Sequence, residues 1–174
     1  MALRQILTEP NEILRQKSLP VVNVDKEIQN LMDDMLETMY AAPGIGLAAI
    51  QIGMPKRVIV LDIEKKEGQK NPFFLINPII LEKSKKILTY EEGCLSVPGQ
   101  FAEIDRPDKC HVKYLNYHGE PKETKAEGML ATCIQHEMDH LEGILFIDYL
   151  SKLKKSMIVK KLSKQKKELE RIVV

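Results

Sequence analysis

Five short strand-like segments follow one another without a helical pattern between them, and this arrangement restricts the fold more than any other feature of the chain. They are rich in β-branched and aromatic residues or alternate polar with apolar, and turn residues separate them. They cover 57–63, 73–77, 79–81, 87–91 and 110–117. Parallel strands usually need a helical crossover, so this succession favours antiparallel pairing over a doubly wound sheet.

Three helical patterns surround these strands. The first covers 28–39, the second covers 128–142 with Gly143 at the C′ position, and the third runs from about 154 to 171. On the third, Ile158, Leu162, Leu169 and Ile172 share one face. We predict an α+β fold in which mostly antiparallel short strands pack around a central helix, with one helix N-terminal and one C-terminal. Residues 1–174 are expected to form a single catalytic domain.

The central helix carries the pentapeptide His136-Glu137-Met138-Asp139-His140. Two histidines four residues apart project from the same face of a helix, as two ligands of one metal ion require. Glu137 would lie beside that ion, where a carboxylate can move a proton to or from water. The alternative is a surface helix with two solvated histidines.

Cys94 lies in a segment that we expect to be a turn-rich loop, bounded by Gly93 and Pro98-Gly99 and preceded by two acidic residues. A thiolate there is unfavourable unless a cation compensates its charge, and a divalent metal does so. Three protein ligands with one open position are typical of a catalytic metal site. Cys94, His136 and His140 are therefore candidate ligands.

The other two cysteines, Cys110 and Cys133, fall within strand and helix patterns and are expected to be buried and structural. Three cysteines cannot all pair, and their spacing indicates no disulfide framework, which favours a reducing cytoplasm. No apolar run approaches the ~20 residues of a membrane span. We expect no secretory leader and no membrane partner.

Charge is distributed unevenly, although the formal net charge is only +1. Residues 151–171 hold eight lysines and one arginine against two glutamates. The rest of the chain is acidic. A basic helix at about 151–171 can contact a phosphate-rich surface, or it can be the solvated face of an ordinary helix.

Three stretches together resemble the signature motifs of the peptide deformylase family, in the same order. They are 44–51 (GIGLAAIQ), 92–96 (EGCLS) and 136–140 (HEMDH). The similarity extends to 145–149 and resembles the bacterial type with a C-terminal helix. It implies a hydrolase that removes the formyl group from N-formylmethionine at the start of new polypeptides and releases formate.

The resemblance also implies roles for individual residues of the reaction centre. Cys94, His136 and His140 would bind the metal, and Glu137 would be the general acid and base. The Gln51 side-chain amide and the Leu95 backbone N–H would hold the oxyanion. Glu92 would pair with Arg106, which we interpret as support for the Cys94 segment.

Substrate-binding residues follow from the same resemblance. The Ile45 N–H and the Gly93 carbonyl would align the peptide like an added strand, and Gly46 would allow its close approach. The methionine pocket would be formed by Ile45, Phe101, Met129, Thr132, Cys133 and the ring of His136. Phe101 stands where many relatives carry arginine, and Thr132 where an aliphatic residue is common, so the side-chain preference of the pocket is open.

Ligand spacing alone favours Zn²⁺. The resemblance instead implies Fe²⁺ as the native ion, with Zn²⁺, Ni²⁺ or Co²⁺ as substitutes. The expected partners are N-formylmethionyl nascent peptides in the bacterial cytoplasm, with ribosome contact through the basic helix as a hypothesis. No DNA partner is expected.

Two other functions fit parts of the sequence. A small zinc endopeptidase could use the same helix, but it would leave Cys94 unused and would need a third ligand from the lysine-rich tail. A non-catalytic protein that binds RNA through that tail would show neither bound metal nor formate release.

Overall fold

The computed structural model describes residues 2–64 and 68–173. Its helices are α1 (Lys26–Ala41), α2 (Gly128–Leu141) and α3 (Lys152–Ile172), with short 3₁₀ helices at Glu12–Arg15, Ala49–Ile52 and Phe146–Tyr149. Its strands are β1 (Gly46–Ala48), β2 (Val58–Leu61), β3 (Phe73–Lys83), β4 (Ile87–Cys94), β5 (Val97–Pro107), β6 (Lys109–Leu115) and β7 (Pro121–Glu127).

These strands form two antiparallel sheets. Five of them pair in the order β1-β2-β3-β6-β7, and β4 with β5 forms a separate hairpin. β1 therefore lies at one edge of the larger sheet, and β4 has β5 as its only partner in the hairpin. The predicted α+β fold with mostly antiparallel short strands is confirmed.

α1 contains the helical pattern predicted at 28–39. The Asp25 carboxylate caps its start by accepting a hydrogen bond from the Ile28 N–H at 3.0 Å. Its methionines are fully buried against β1 and β2 and belong to one apolar cluster with Leu47, Val58 and Val60. They fill the core and are not available to bind a ligand.

α2 is the central helix, and its apolar side packs on the five-stranded sheet through Ala131, Ile134 and Leu141. Gly143 follows its last turn in the left-handed region, at φ 73°. A Cβ there would collide with the backbone carbonyl of Arg15. The predicted glycine stop is confirmed, and glycine is required for close approach as well as for conformation.

The strand prediction differs from the structure at four places. The prediction does not include β1, because glycine and alanine are poor strand formers. The segments predicted at 73–77 and 79–81 form one strand, β3, interrupted by a register shift at Asn77-Pro78 with Asn77 at φ 50°. The prediction does not include β5, because Pro98 and Gly99 near its start are typical of a loop. β7 was missed because its sequence, PKETKAE, is almost wholly polar; pairing with β6 holds it in the sheet.

α3 is held to the rest of the protein mainly through its first half. Leu162 is buried, and Ile158 is half-buried against a small cluster that includes Phe146 and Ile147. Leu169 and Ile172 are 66% and 80% exposed. Of the four apolar residues on this face, only Ile158 and Leu162 are packed, because the second half of the helix extends beyond the cluster. Within the described ranges, no helix is long and apolar enough to cross a membrane.

Candidate metal centre and its cavity

The two histidines of α2 lie side by side, as their spacing predicted. Their ring centroids are 5.0 Å apart, and both residues are at least nine-tenths buried. Glu137 is also buried, at 4% exposure. The alternative of two solvated histidines on a surface helix is therefore excluded.

Cys94 approaches these rings from the hairpin. It is the last residue of β4, and only Leu95 and Ser96 separate it from its cross-strand partner Val97. Its Sγ lies 3.3 Å from Nε2 of His140. The expectation of a turn-rich loop is thus wrong in part, because the thiol is carried by a tight β-turn between two paired strands.

One ligand atom from each of Cys94, His136 and His140 lies within 4.8 Å of the other two. Donor atoms at tetrahedral positions around one ion are about 3.5 Å apart when the bond lengths are ~2.0 Å to nitrogen and ~2.3 Å to sulfur. Among the described residues, no fourth histidine, cysteine or carboxylate belongs to this cluster. The donor set therefore fits a divalent ion with an open position.

Glu92 orients one of the histidines. Its Oε2 accepts a hydrogen bond from Nδ1 of His136 at 2.8 Å, which directs Nε2 of that ring toward the cluster. Arg106 donates to both oxygens of the same carboxylate, at 2.6 and 3.1 Å. The Glu92–Arg106 pair was expected, but its contact with His136 was not, since sequence alone shows no distance between β4 and α2.

Burial and neighbouring charges shift the pKa values of three residues of the centre, apart from any effect of a bound ion. Burial raises the pKa of Glu137 to about 7. Burial alone would also raise the pKa of Glu92, but its hydrogen bonds to His136 and Arg106 lower it. Burial and the nearby His136 keep the pKa of His140 well below its usual range, which favours the neutral ring that binds metals.

Gln51 lies on the 3₁₀ helix that follows β1, with its side-chain amide fixed at both ends. Its Oε1 accepts from the Ala48 N–H at 2.8 Å, and its Nε2 donates to Oγ of Ser96 at 3.0 Å. The same Nε2 is 3.5 Å from the sulfur of Cys94. Ser96, fully buried, is a positioning residue that the sequence interpretation overlooked although it lies in the second motif.

Gly46 lies directly against the catalytic candidate Glu137. A Cβ at this position would overlap the Glu137 carboxylate. Glycine is therefore required at position 46 because the Glu137 side chain lies so close, in addition to any close approach of a peptide substrate.

A cavity of about 590 Å³ opens beside the centre. All the residues predicted to bind substrate line it, together with the ligand candidates Cys94 and His136. Thr132 and Cys133 are buried in its wall, whereas Phe101 and Met129 are 66% and 43% exposed. The cavity is also lined by residues that the sequence interpretation did not select, namely Pro43, Gly44, Tyr90, Glu91, Val97, Pro98, Gly99 and Gln100.

Comparison with known proteins identifies the same family over most of the chain. Residues 3–156 match the family model described as polypeptide deformylase. A peptide deformylase of Pelagibacter ubique is 66% identical over 100% of both chains. The solved peptide deformylase of Ehrlichia chaffeensis superposes with a TM-score of 0.90 at 41% identity, covering 95% of this chain and 97% of that one. A second structure of it, in complex with actinonin, has a TM-score of 0.89 at 44% identity and covers 95% and 98%.

Proposed function

This chain belongs to the polypeptide deformylase family, and on that premise we propose how its own residues carry out the reaction. It is a hydrolase that removes the formyl group from N-formylmethionine at the start of new polypeptides and releases formate. The family is metal-dependent. The observation that carries our assignment of roles is the convergence of all three sequence motifs on one cavity.

Cys94, His136 and His140 are the proposed metal ligands. A divalent ion held there supplies Lewis acidity, which makes water a competent nucleophile at neutral pH. The Glu92 carboxylate holds the His136 ring in the required tautomer, since Nδ1–H donates to it and the lone pair of Nε2 is left for a metal.

Glu137 is the proposed general acid and base. Its Oε2 is buried, without a hydrogen-bond partner among the described residues. A pKa near 7 suits a group that must both take and return a proton close to neutral pH. Glu137 accepts a proton from the attacking water and donates it to the nitrogen that leaves when the formyl C–N bond breaks.

The Gln51 amide and the Leu95 N–H are the proposed donors to the oxyanion of the tetrahedral intermediate. Ala48 and Ser96 already fix the Gln51 side chain, so little reorganisation is needed during the reaction. A preorganised donor of this kind typically lowers the barrier by ~3–4 kcal/mol.

The peptide is proposed to lie extended between the two sheets. Ile45 immediately precedes edge strand β1, and Gly93 lies in β4, whose other side pairs with β5. The Ile45 N–H and the Gly93 carbonyl can therefore bind a peptide backbone as an added strand. The methionine side chain would pack against the wall of the cavity that Thr132, Cys133 and the His136 ring form. Ile45, Phe101 and Met129 would flank it.

We expect the metal-loaded protein to release formate from formyl-Met-Ala-Ser. Chelation should abolish the release, and added Ni²⁺ should restore it. Formate measured by a coupled dehydrogenase assay, beside metal analysis of the same sample, checks both points. Bound metal without formate release would contradict the proposed reaction centre.

Fe²⁺ is the proposed native ion, with Zn²⁺, Ni²⁺ or Co²⁺ as substitutes. The Cys94 thiol is only partly buried and lines the open cavity, so oxygen can reach both it and an adjacent ion. We expect the iron-loaded enzyme to lose activity in air, through oxidation of iron or of the thiolate, while the nickel-loaded enzyme keeps it. Anaerobic purification with metal analysis, followed by timed exposure to air, measures this. Equal decay of the two forms would contradict it.

The whole chain is proposed to be one catalytic domain acting in the bacterial cytoplasm, with α3 as a basic extension. Seven of the eight lysines of α3 are exposed. The other, Lys155, pairs with Asp148 at 2.7 Å. We propose that the exposed lysines contact the phosphate-rich surface of the ribosome, where formylated N-termini emerge. No DNA or membrane partner is proposed.

The variant with Lys160, Lys161, Lys164 and Lys167 changed to glutamate should keep its activity on the formyl tripeptide. It should lose salt-sensitive co-sedimentation with ribosomes, because neutralising phosphates releases counterions. Co-sedimentation across a salt series tests this. Binding equal to that of the unchanged protein would leave these lysines as a solvated helix face.

A further inference from the structure

The proposed metal ligands come from two separate elements of the fold. Cys94 is carried by the β4–β5 hairpin, and the two histidines are carried by α2. The hairpin does not share a sheet with the strands on which α2 packs. The distances between the three ligands therefore depend on the contacts that join the hairpin to the helix.

Polar contacts join the hairpin to the helix: Glu92 accepts from His136, the Gln135 amide donates to the Pro107 carbonyl, and Arg106 donates to Asp139. Arg106 also supports the first of these contacts. On one side it donates to both oxygens of Glu92, and on the other its Nη1 donates to Oδ2 of Asp139 at 2.9 Å. Asp139 lies on α2, immediately before His140. The Arg106 side chain is only 5% exposed, and a buried guanidinium is stable only while its carboxylate partners remain in place.

Tyr149 contacts both Asp139 and Arg106 from the solvent side. Its hydroxyl donates to the same Oδ2 of Asp139, at 2.8 Å. Its ring lies over the Arg106 guanidinium, with 5.1 Å between Cζ and the ring centroid. The tyrosine therefore fixes the Asp139 carboxylate and covers the guanidinium at once. Tyr149 is 52% exposed, and neither it nor Asp139 lines the cavity beside the centre.

We propose that Asp139 and Tyr149 are positioning residues that hold the cysteine-bearing hairpin against the histidine-bearing helix, and so retain the metal. The inference rests on the ligand roles proposed above. Neither residue would touch the substrate. Their effect passes through Arg106 and Glu92 to the His136 ring and to the position of the Cys94 sulfur.

Release of Co²⁺ to excess chelator, followed by the visible absorption of the cobalt–thiolate site, tests the proposal without any substrate. Asp139→Asn keeps the shape of the side chain but removes its charge, and should release cobalt ~10-fold faster or more. Tyr149→Phe keeps the ring and removes one hydrogen bond, and should release it about fivefold faster. Both should change the intensity or position of the cobalt bands.

Tyr117→Phe is the matched control. Tyr117 also donates its hydroxyl to an aspartate, Asp33, at 3.1 Å, and neither residue lines the cavity. This variant should release cobalt at the rate of the unchanged protein. Cobalt release from Tyr149→Phe no faster than from Tyr117→Phe would overturn the proposal.

A double variant tests whether Tyr149 acts through Asp139. Asp139→Ala and Asp139→Ala combined with Tyr149→Phe should release cobalt at the same rate, whereas faster release from the double variant would overturn that step. Cys94→Ala separates this inference from the ligand assignment beneath it. If Cys94→Ala still binds cobalt normally, the assignment itself has failed; if only Asp139 and Tyr149 are without effect, the positioning role alone has failed.

Discussion

Replacing Glu137 by glutamine should leave the metal bound and lower the turnover of formyl-Met-Ala-Ser by ~10²–10⁴-fold, the usual contribution of a general acid–base group. An amide has nearly the shape of the carboxylate but cannot accept the proton of the attacking water. Because Gly46 lies against this side chain, an isosteric replacement is required. Steady-state formate release and metal content measured on the same preparation check the expectation.

The pH dependence of kcat/KM is a second test of the role of Glu137. Burial raises the pKa of Glu137 to about 7, and a nearby cation favours its ionised form. The base works only when ionised, so kcat/KM of the unchanged enzyme should fall as pH decreases through a pKa at or below 7. The residual activity of Glu137→Gln should lack that acidic limb.

Glu142→Gln is the matched control for this substitution. Glu142 caps the end of the same helix, is partly exposed, and pairs with Arg57 and Lys17 away from the cavity. It should retain activity within about twofold, as a surface substitution normally does. If Glu137→Gln were as active as Glu142→Gln, another group would have to move the proton.

The helices could be predicted from the sequence because apolar spacing and capping signals are local. The helical pattern at 28–39 lies within α1, and Gly143 follows α2 in the left-handed region, as predicted. β5 and β7 could not be predicted, since their own sequences contain glycine, proline or mostly charged residues. Each is held in place by a neighbouring strand, and pairing between strands is a tertiary effect that local propensity does not contain.

Some features of the candidate site follow from local sequence, whereas others depend on the tertiary structure. The motif at 136–140 places two histidines on one face of any helix, so their proximity follows from geometry. Nothing local shows that Glu92 reaches His136, that Ser96 fixes Gln51 or that Tyr149 reaches Asp139. These contacts join residues separated in the chain by 10 to 45 positions, and only the fold brings them together.

Cys94→Ala should abolish stoichiometric metal binding and, with it, formate release. Of the three cysteines, only Cys94 belongs to the ligand cluster with the histidines. Its sulfur lies 3.3 Å from Nε2 of His140. Removing one of three ligands leaves two neutral imidazoles and no anionic donor, which cannot compensate a divalent charge in a buried site. Metal analysis after gel filtration measures the loss, and full occupancy would show that the ligand set is wrong.

The two remaining cysteines distinguish loss of a ligand from general loss of thiols. Burial raises the pKa of Cys110, and burial together with the charge of Glu137 raises the pKa of Cys133 well above its ordinary value. Both thiols stay protonated at neutral pH, and neither lies in the cluster of donor atoms, so no ion at the centre is placed to displace their protons. Cys110→Ser and Cys133→Ser should each retain one metal ion per chain. Loss of metal from either, at unchanged secondary structure by circular dichroism, would contradict the assignment of Cys94 as the thiolate ligand.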